Sequence, residues 1–492
     1  MSSFVVAVLI ALPWLNPFAP GPTPAVVPWL FTLACTALAL PWMSRMPLGE
    51  VAARAWLGAA LLSSALGLLQ YFGASAALAP WVNSTALGEA YANLRQRNQF
   101  ATLTNIGLAA LLWWLARRSA AVPRSSTLLW PLALAALLAL GNAASSSRTG
   151  LAQLLLLLAL AWAWNRGRTA ERPSALLAVL LTAALAYAVG TVALPLLAGL
   201  DPQAAGMLGR LQDGGARCAS RLTLWSNVLH LIAQEPWLGW GWGELAYAHF
   251  ITLYPGERFC DILDNAHNLP LHLAVELGLP AALLLCGTAL WLGWRAQPWR
   301  ESDPSRQLAW SVLALILLHN LLEYPLWYGP FQVATGLSLC LLWRTRATAT
   351  EPRVELVLLR RSLLALTAPL LLAAAAWAAW DYDRVSQIYL SPAARAAAYR
   401  DNALQQIGAS RLFRNQVRFA ELTTTELRSD NAAHIHALAK TLLHFSPEAR
   451  VLQALIDSAE RLGLKDEARF YRLRYQAAFA QSYARWSTKG AD

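Results

Sequence analysis

One histidine of the sequence stands where a general base could act. His267 opens a long apolar run and is flanked by Asp264 and Asn268. An imidazole titrates near neutral pH, so it can accept a proton from a hydroxyl group under physiological conditions. The alternative is a histidine that only anchors a helix end, and the surrounding motif favours the base. His272 is expected to be structural, because helical neighbours lie three or four residues apart and it follows His267 by five.

Arginines form the second set of candidate residues. Arg97, Arg148 and Arg221 come from three different connectors between apolar runs, and Arg217 lies close to the last of them. Guanidinium groups that converge could bind a pyrophosphate bidentately and stabilise it as it leaves. Arginines that are solvated or that contact lipid head groups are the alternative. That alternative is weakest for Arg148, because small polar residues surround it.

Cofactor chemistry has little support in the sequence. The eight histidines show no metal-ligand spacing such as His-Glu-x-x-His. A metal-dependent mechanism is therefore unsupported, though not excluded, and no cofactor is expected.

The composition places these residues in a membrane protein. Of 492 residues, 57% are hydrophobic and 14% are charged, whereas a soluble domain carries about 25% charged residues. The net charge of +11 would suggest nucleic-acid binding in a soluble chain, but here the arginines form short clusters between apolar runs. Such clusters are typical of the cytoplasmic loops of a polytopic membrane protein. We therefore expect the chain to contact membrane lipid and not to bind nucleic acid.

About eleven apolar runs are long enough to cross roughly 30 Å of hydrocarbon as helices. They lie at 4–19, 25–42, 53–73, 99–116, 126–142, 149–165, 174–199, 267–294, 307–322, 329–343 and 362–380. Arginine clusters fall on every second connector, which places the amino terminus in the cytoplasm and the carboxy-terminal tail on the far side. The first run lacks a basic segment and a cleavage site, so we interpret it as an anchor instead of a signal peptide.

Polar residues that the bilayer should reject gather on the outer side of this topology. They are found at 95–99, 145–148, Arg217, Arg221, 264–268, Glu276, 319–320 and 323–324. Chance placement would scatter them over both faces. The outer side is therefore where the sequence predicts the chemistry.

The outer loop 200–266 carries two further features. It contains Cys218 and Cys260, and an oxidising periplasm would allow these cysteines to form a disulfide. It also contains the Trp- and Gly-rich stretch 236–243. We expect this stretch to lie at the membrane interface, with a surface for sugar rings as the alternative.

The tail, residues 381–492, differs in composition from the rest of the chain. It is richer in charge, holds all three lysines and shows helical periodicity. We predict a soluble α-helical domain. Its stretch 449–479 resembles one tetratricopeptide unit, and a plain helical hairpin fits equally well.

These motifs, taken in order, resemble those of the O-antigen ligase and polymerase superfamily (Wzy/WaaL-like), in particular the pilin-glycosylating O-oligosaccharyltransferases of the PglL type. The strongest match is His267-Asn268 followed by nine residues and Gly278. Ala281 stands where this pattern has Gly, Thr or Tyr, which is a mild departure. The other matching pieces are 95–100, 146–150, 221–225 with 238–241, and 323–327.

The resemblance implies an all-α, GT-C-like membrane glycosyltransferase whose transmembrane catalytic domain covers 1–380. Its expected substrates are an undecaprenyl-pyrophosphate-linked oligosaccharide and a hydroxyl of an acceptor protein such as a pilin. Transfer would occur in one inverting displacement on the periplasmic face of a bacterial inner membrane, without a nucleotide sugar.

The resemblance also implies roles for individual residues. His267 would be the base, with Gln96, Tyr324 and Glu276 as further catalytic groups. Arg148 and Arg221 would bind the pyrophosphate, and the rest of the substrate-binding set would be Arg97, Arg217 and Asn268.

Other functions fit the sequence less well. Ligation of the glycan to lipid A core, or polymerisation of repeat units, uses the same reaction class, and the helical tail together with 323–325 favours a protein acceptor. A transporter or flippase would place its polar residues near the midplane and show inverted repeats. A structural scaffold would not require His267.

Overall fold

The computed structural model describes residues 2–118, 128–165, 174–212, 217–346, 354–408 and 410–489. Within these ranges the chain is helical and contains no β-strand, so the predicted all-helical fold is confirmed. Contacts divide the chain into two units. The first comprises Met1–Asp213 and Gly293–Ala376, and the second comprises Gly214–Leu292 and Trp377–Asp492.

The first unit is built mainly from apolar helices. They are α1 (Ser3–Leu15), α2 (Val26–Met43), α3 (Leu48–Tyr71), α4 (Arg97–Arg118), α5 (Leu129–Ser145), α6 (Arg148–Asn165), α7 (Ser174–Leu197), α8 (Gly206–Gln212), α13 (Pro304–Asn320) and α14 (Gly329–Arg346). Helices α12 (Leu279–Ala296) and α15 (Val354–Ser386) have residues in both units.

Each of the predicted apolar runs contains a helix, but the run 267–294 is not a single span. It forms α11 (Leu269–Leu277) and α12, and Gly278 between them has φ +85° and ψ 162°, which no helix continues through. In the described part of the chain, the helices long and apolar enough to cross a membrane are Val26–Met43, Leu48–Tyr71, Arg97–Arg117, Ala175–Leu197, Leu279–Arg300 and Ser362–Tyr389. Shorter apolar helices are Ser3–Leu15, Leu129–Ser145 and Arg148–Trp164. The number of eleven crossings therefore stays a prediction.

Small residues allow the helices of the first unit to approach one another closely. A Cβ at Gly107 of α4 would lie 2.3 Å from the Cβ of Ala60 of α3. In the same way, a Cβ at Gly141 of α5 would lie 2.6 Å from the Oγ of Ser64 of α3. Lipid tails are as apolar as these side chains, so close packing, more than the hydrophobic effect, holds such helices together.

The later part of the outer loop folds with the start of the next apolar run into a small helical core in the second unit. The helices of this core are α9 (Arg221–Gln234) and α10 (Leu245–Ile251) of the loop, and α11. Their buried apolar side chains include Leu224, Val228, Leu231, Leu245 and Val275. This core supports the backbone turns between the helices, where the polar motifs lie.

The tail packs against α10 in the same unit. Its helices are α16 (Ala403–Ile407), α17 (Arg414–Thr424), α18 (Ala432–Leu443), α19 (Ala449–Arg461), α20 (Lys465–Ala478) and α21 (Ala480–Lys489). The Arg474 guanidinium donates to the carbonyl of Ile251 at 2.7 Å, and the His444 imidazole lies 2.7 Å from the Glu244 carboxylate. The outer loop from Gly214 onward and the tail thus belong to one unit, and the domain boundary at residue 381 stays a prediction.

Packing at Gly107 leads to a stability prediction. Gly107→Ala forces a methyl group into Ala60, so the variant should lose about 1–3 kcal/mol through overpacking. Thermal unfolding in detergent should show a lower Tm. Gly58→Ala on α3 is the matched control, because a Cβ there meets nothing within 4 Å. Equal Tm values for the two variants would contradict the packing described.

Candidate active site

A turn stabilised by two asparagine side chains holds His267. The Asn265 Oδ1 accepts a hydrogen bond from the His267 backbone N–H at 2.8 Å, and the Asn268 Oδ1 caps α11 by accepting from the Leu271 N–H at 3.1 Å. The Trp225 indole donates to the Ala266 carbonyl at 3.1 Å. His267 itself has φ +50°, a left-handed conformation that surrounding contacts must enforce. The turn therefore places the imidazole ahead of the helix, where it is partly exposed.

Titratable side chains lie on both sides of the turn at His267. Desolvation raises the pKa of the Asp264 carboxyl, and the charge of His267 opposes part of that increase. Burial, together with a smaller effect of the nearby His267, lowers the pKa of His272 to about 4. The sequence argument placed His267 and His272 on one helix, where a spacing of five residues keeps two side chains apart. His267 instead precedes α11, so that spacing does not determine the distance between the two imidazoles.

His272 and Glu276 form a buried pair on α11. The His272 Nε2 lies 3.6 Å from the Glu276 Oε2, and both side chains are about 95% buried or more. Burial raises the pKa of Glu276 to about 7, against the opposing effect of a hydrogen bond from the Gly243 backbone. Glu276 is therefore partly protonated near neutral pH.

The Trp- and Gly-rich stretch 236–243 runs along the end of α11. The Trp240 N–H donates to the Val275 carbonyl at 2.9 Å, the Gly241 N–H to the Glu276 carbonyl at 3.0 Å, and the Leu279 N–H to the Pro236 carbonyl at 2.8 Å. These hydrogen bonds hold the stretch to the segment that ends α11 and begins α12.

Two glycines make this contact possible. A Cβ at Gly278 would lie 2.1 Å from the Trp237 carbonyl oxygen, and a Cβ at Gly239 would lie 2.5 Å from the Glu276 carbonyl oxygen. Both glycines also have positive φ. The close contact and the positive φ explain why a glycine stands at position 278, after the nine residues that follow His267-Asn268.

A disulfide precedes the helix that carries Arg221. Cys218 and Cys260 are bonded in the structure, with a Cα–Cα distance of 5.3 Å. The Ser220 Oγ then caps α9 by accepting from the Thr223 N–H at 3.1 Å. Arg221 is the first residue of α9. Arg217 begins the short helix Arg217–Ala219, and its side chain lies outside the described residues.

In the first unit, Arg97 and Arg148 each begin a helix. Arg97 opens α4 and pairs with the Glu89 carboxylate, while Arg148 opens α6 and donates to the Arg210 carbonyl. Arg148 is exposed, and Gln96, just before α4, is partly exposed.

A hydrogen-bonded chain of three side chains joins these helix starts. The Ser147 Oγ donates to the Asn98 Oδ1 at 2.6 Å, and the Asn98 amide donates to the Glu323 carboxylate at 3.1 Å. The Ser147 Oγ also accepts from the Gly150 N–H at 3.0 Å, and Ser146 has φ +50°. Sequence reasoning placed these residues on one side of the membrane but did not predict that they bond to one another.

Tyr324 and His319 occupy different surroundings. The Tyr324 ring is stacked on Tyr328, with centroids 6.0 Å apart, and is partly exposed. His319 is fully buried, and its Nδ1 lies 2.9 Å from the Thr102 hydroxyl. Gln153 donates to the same hydroxyl at 2.9 Å. His319 is therefore part of the interior polar network, whereas Tyr324 remains accessible.

The predicted residues divide between the two units. His267, Asn268, Glu276, Arg217 and Arg221 belong to the second unit, and Gln96, Arg97, Arg148 and Tyr324 belong to the first. Two of the outer arginines serve the fold itself. Arg258 donates to the carbonyls of Thr252 and His249, and Arg95 donates to that of Pro17. Among the residues that the structure describes, no three His, Cys, Asp or Glu side chains are grouped as a metal site would require.

Models of three protein families match three successive parts of the chain. "Protein glycosylation ligase" matches residues 90–115, "O-Antigen ligase" matches 133–286, and "Virulence factor membrane-bound polymerase, C-terminal" matches 307–491. The first contains Arg97 and the second contains the His267 turn. No solved structure matches the chain.

Two curated relatives come from Acinetobacter baylyi. The chain is 25% identical over 315 residues to a general O-oligosaccharyltransferase, a match that covers 61% of this chain and 52% of that protein. It is 26% identical over 118 residues to a ComP-specific O-oligosaccharyltransferase, covering 24% of this chain and 21% of that protein. The matches thus span about half of the first relative and about a fifth of the second. They confirm that the chain is similar to Wzy/WaaL-like ligases of the PglL type.

The contact between the two glycines leads to a prediction for Gly278→Ala. The added methyl group would overlap the Trp237 carbonyl, and the alanine would have to adopt a strained positive φ. The stretch 236–243 should therefore detach from α11. Limited proteolysis with mass spectrometry should show faster cleavage within 236–243. Gly256→Ala is the control, because a Cβ there meets nothing within 4 Å. Unchanged cleavage in Gly278→Ala would show that the contact does not hold the loop.

Proposed function

We propose that the chain is an O-linked oligosaccharyltransferase. It transfers a preassembled glycan en bloc from undecaprenyl pyrophosphate to a Ser or Thr hydroxyl of a periplasmic protein such as a pilin. The observation that carries the proposal is the turn at His267, whose imidazole is held ahead of α11 by Asn265 and Asn268. This turn lies within the segment that matches O-antigen ligases.

The two halves of the reaction need different groups. A Ser or Thr hydroxyl has a pKa far above neutrality, so it requires a positioned base, and His267 accepts its proton. Pyrophosphate is a competent leaving group and requires only stabilisation of its charge, which Arg148 and Arg221 supply. Arg97, Arg217 and Asn268 complete the substrate-binding set.

The displacement occurs in one step at the anomeric carbon. The acceptor oxygen forms a bond to that carbon as the bond to the pyrophosphate oxygen breaks, so the configuration inverts and the proton passes to His267. Gln96 and Tyr324 are proposed as further catalytic polar groups. Glu276, which lies 3.6 Å from His272, is the remaining proposed catalytic group.

The proposed location follows from the helices and the arginines. The chain is a multi-pass membrane protein similar to membrane ligases. We place it in a bacterial inner membrane, with the amino terminus in the cytoplasm and the site and tail on the periplasmic side. The loops then position a protein acceptor beside a lipid-anchored donor, which supplies the proximity term of catalysis.

One finding favours a second candidate function. The match over 307–491 is to a family described as a membrane-bound polymerase. Polymerisation of glycan repeats, or ligation to lipid A core, would use the same base and the same leaving group. Intact mass spectrometry of a co-expressed pilin, together with a lipopolysaccharide gel of the same cells, separates these acceptors.

The proposed base leads to a prediction for His267→Ala. Loss of a general base should lower glycan transfer by about 100- to 10,000-fold. The measurement is the mass of pilin co-expressed with the variant and a lipid-linked glycan. His434→Ala, an exposed histidine of the tail, is the control and should transfer like the wild type. Normal transfer by a well-expressed His267→Ala protein would exclude His267 as the base.

Arg148 leads to a separate prediction. Arg148→Lys keeps the charge but not the planar fork, so transfer should fall by about 10- to 100-fold, the loss of one charge-assisted hydrogen bond. The control is Arg300→Lys in the connector before α13, where the guanidinium makes only a 3.4 Å contact with Gln297 within the described hydrogen bonds. If Arg148→Lys transfers at the wild-type rate, the pyrophosphate role of Arg148 is wrong.

A further inference from the structure

Asn98 is the centre of a chain of hydrogen bonds that joins three segments of the first unit. The Asn98 Oδ1 accepts from the Ser147 Oγ at 2.6 Å, and the Asn98 Nδ2 donates to the Glu323 carboxylate at 3.1 Å. Ser147 and Glu323 are buried, with exposed fractions of 1% and 5%. These three side chains, the Asn98 chain, therefore bond to one another in a largely dry environment, where an unpaired polar group would be costly.

Each member of the Asn98 chain is the direct neighbour of a residue of the proposed site. The neighbouring pairs are Arg97-Asn98 at the start of α4, Ser147-Arg148 at the start of α6, and Glu323-Tyr324 after α13. A planar peptide bond links the two residues of each pair. A side chain that is fixed by a hydrogen bond therefore restricts the backbone from which its neighbour extends.

Ser147 transmits this restriction to α6. Its Oγ donates to Asn98 and also accepts from the Gly150 N–H at 3.0 Å, which caps the helix that Arg148 begins. Without the acceptor on Asn98, the hydroxyl could rotate away from both partners. The start of α6 would then lose its connection to α4.

A second set of hydrogen bonds joins the same helices farther along them. The Gln153 amide donates to the Thr102 hydroxyl and to the Leu315 carbonyl, both at 2.9 Å, and the Thr102 hydroxyl lies 2.9 Å from the His319 Nδ1. Gln153, Thr102 and His319, the Gln153 cluster, are fully buried. This cluster ties α4, α6 and α13 together independently of the Asn98 chain, whose bonds act at the helix starts.

We infer that Asn98 and Glu323 are positioning residues of the proposed site. Their hydrogen bond holds the starts of α4 and α6 to the segment before Tyr324, so that Arg97, Arg148 and Tyr324 keep one fixed arrangement. Groups that are already in place need no reorganisation as charge develops on the leaving group. Glu323 serves as a hydrogen-bond acceptor, and the role does not depend on its charge. The inference rests on the proposed function.

Substitutions at Glu323 separate positioning from direct chemistry. Glu323→Ala removes the acceptor and should lower kcat/KM for glycan transfer by about 10- to 100-fold, the effect of one hydrogen bond to a charged group. Glu323→Gln retains an acceptor oxygen and should stay within about threefold of the wild type. If Glu323→Gln is as impaired as Glu323→Ala, the carboxylate takes part in the chemistry itself and the inference is wrong. Wild-type transfer by Glu323→Ala would contradict it as well.

A matched pair of variants separates positioning from helix packing. Asn98→Leu breaks the Asn98 chain and Gln153→Met breaks the Gln153 cluster, each at nearly constant side-chain volume. Both should lower the Tm in detergent, but only Asn98→Leu should lower kcat/KM per folded molecule, by about 10- to 100-fold. Equal losses of transfer in the two variants would make helix packing the cause and overturn the inference.

A double-mutant cycle tests whether Asn98 acts through Arg148. In an Arg148→Lys background the guanidinium fork is already absent, so the cost of Asn98→Leu should shrink by at least about threefold. A purely structural role would give the same cost in both backgrounds. That result would reject the positioning role.

Binding of undecaprenyl pyrophosphate without a glycan separates this inference from the proposed function. In detergent, Asn98→Leu should bind it about tenfold more weakly than the wild type, because the arginine fork is displaced, whereas Gln153→Met should bind it normally. If the wild type transfers no glycan to pilin, this order of affinities would keep the positioning role and reject the proposed function. Equal affinities of the three proteins in that case would reject both.

Discussion

A backbone contact between two glycine-containing segments determines the geometry of the proposed catalytic turn. Gly239 and Gly278 have φ of +68° and +85°, and each lies so close to the opposite backbone that a Cβ would overlap it. The contact allows 236–243 to hydrogen-bond along the end of α11 and stops that helix one residue before α12 begins. As a result, His267 and Glu276 precede the apolar helix α12 and are not part of it. This separation suits the proposed role of His267 as a base that meets a protein acceptor.

Strained backbone accompanies the same motifs. Arg95, Ser146 and His267 all have φ between +50° and +58°, a conformation that costs a non-glycine residue about 1–3 kcal/mol. Two of them have visible local support. Asn265 fixes the His267 N–H, and the Ser147 hydroxyl caps the helix that follows Ser146. The strained backbone persists because hydrogen bonds from neighbouring side chains hold it. The polar residues of each motif therefore help to fix the direction of its side chains.

The outer arginines show how far sequence reasoning reaches. The positive-inside pattern separates the arginines that set orientation from the outer ones, including Arg95, Arg148 and Arg258. It cannot distinguish their partners. Arg258 donates to backbone carbonyls of its own loop, and Arg97 pairs with Glu89. These groups come into contact only once the loops have folded. Likewise the spacing of Asn98, Ser147 and Glu323 gives no indication that these three side chains bond in a chain.

Composition, apolar run length and arginine placement suffice to predict an all-helical membrane protein and the approximate positions of its helices, and the spacing of His267, Asn268 and Gly278 resembles a known family motif. These are local properties, and hydrocarbon imposes them on any segment that crosses it, whatever its neighbours. The break at Gly278 and the partnership of the outer loop with the tail are decided only by folding. So is the hydrogen-bonded link between Ser147 and Glu323. Each of these depends on contacts between residues far apart in the chain, and such contacts follow from how the helices pack and not from the order of their residues.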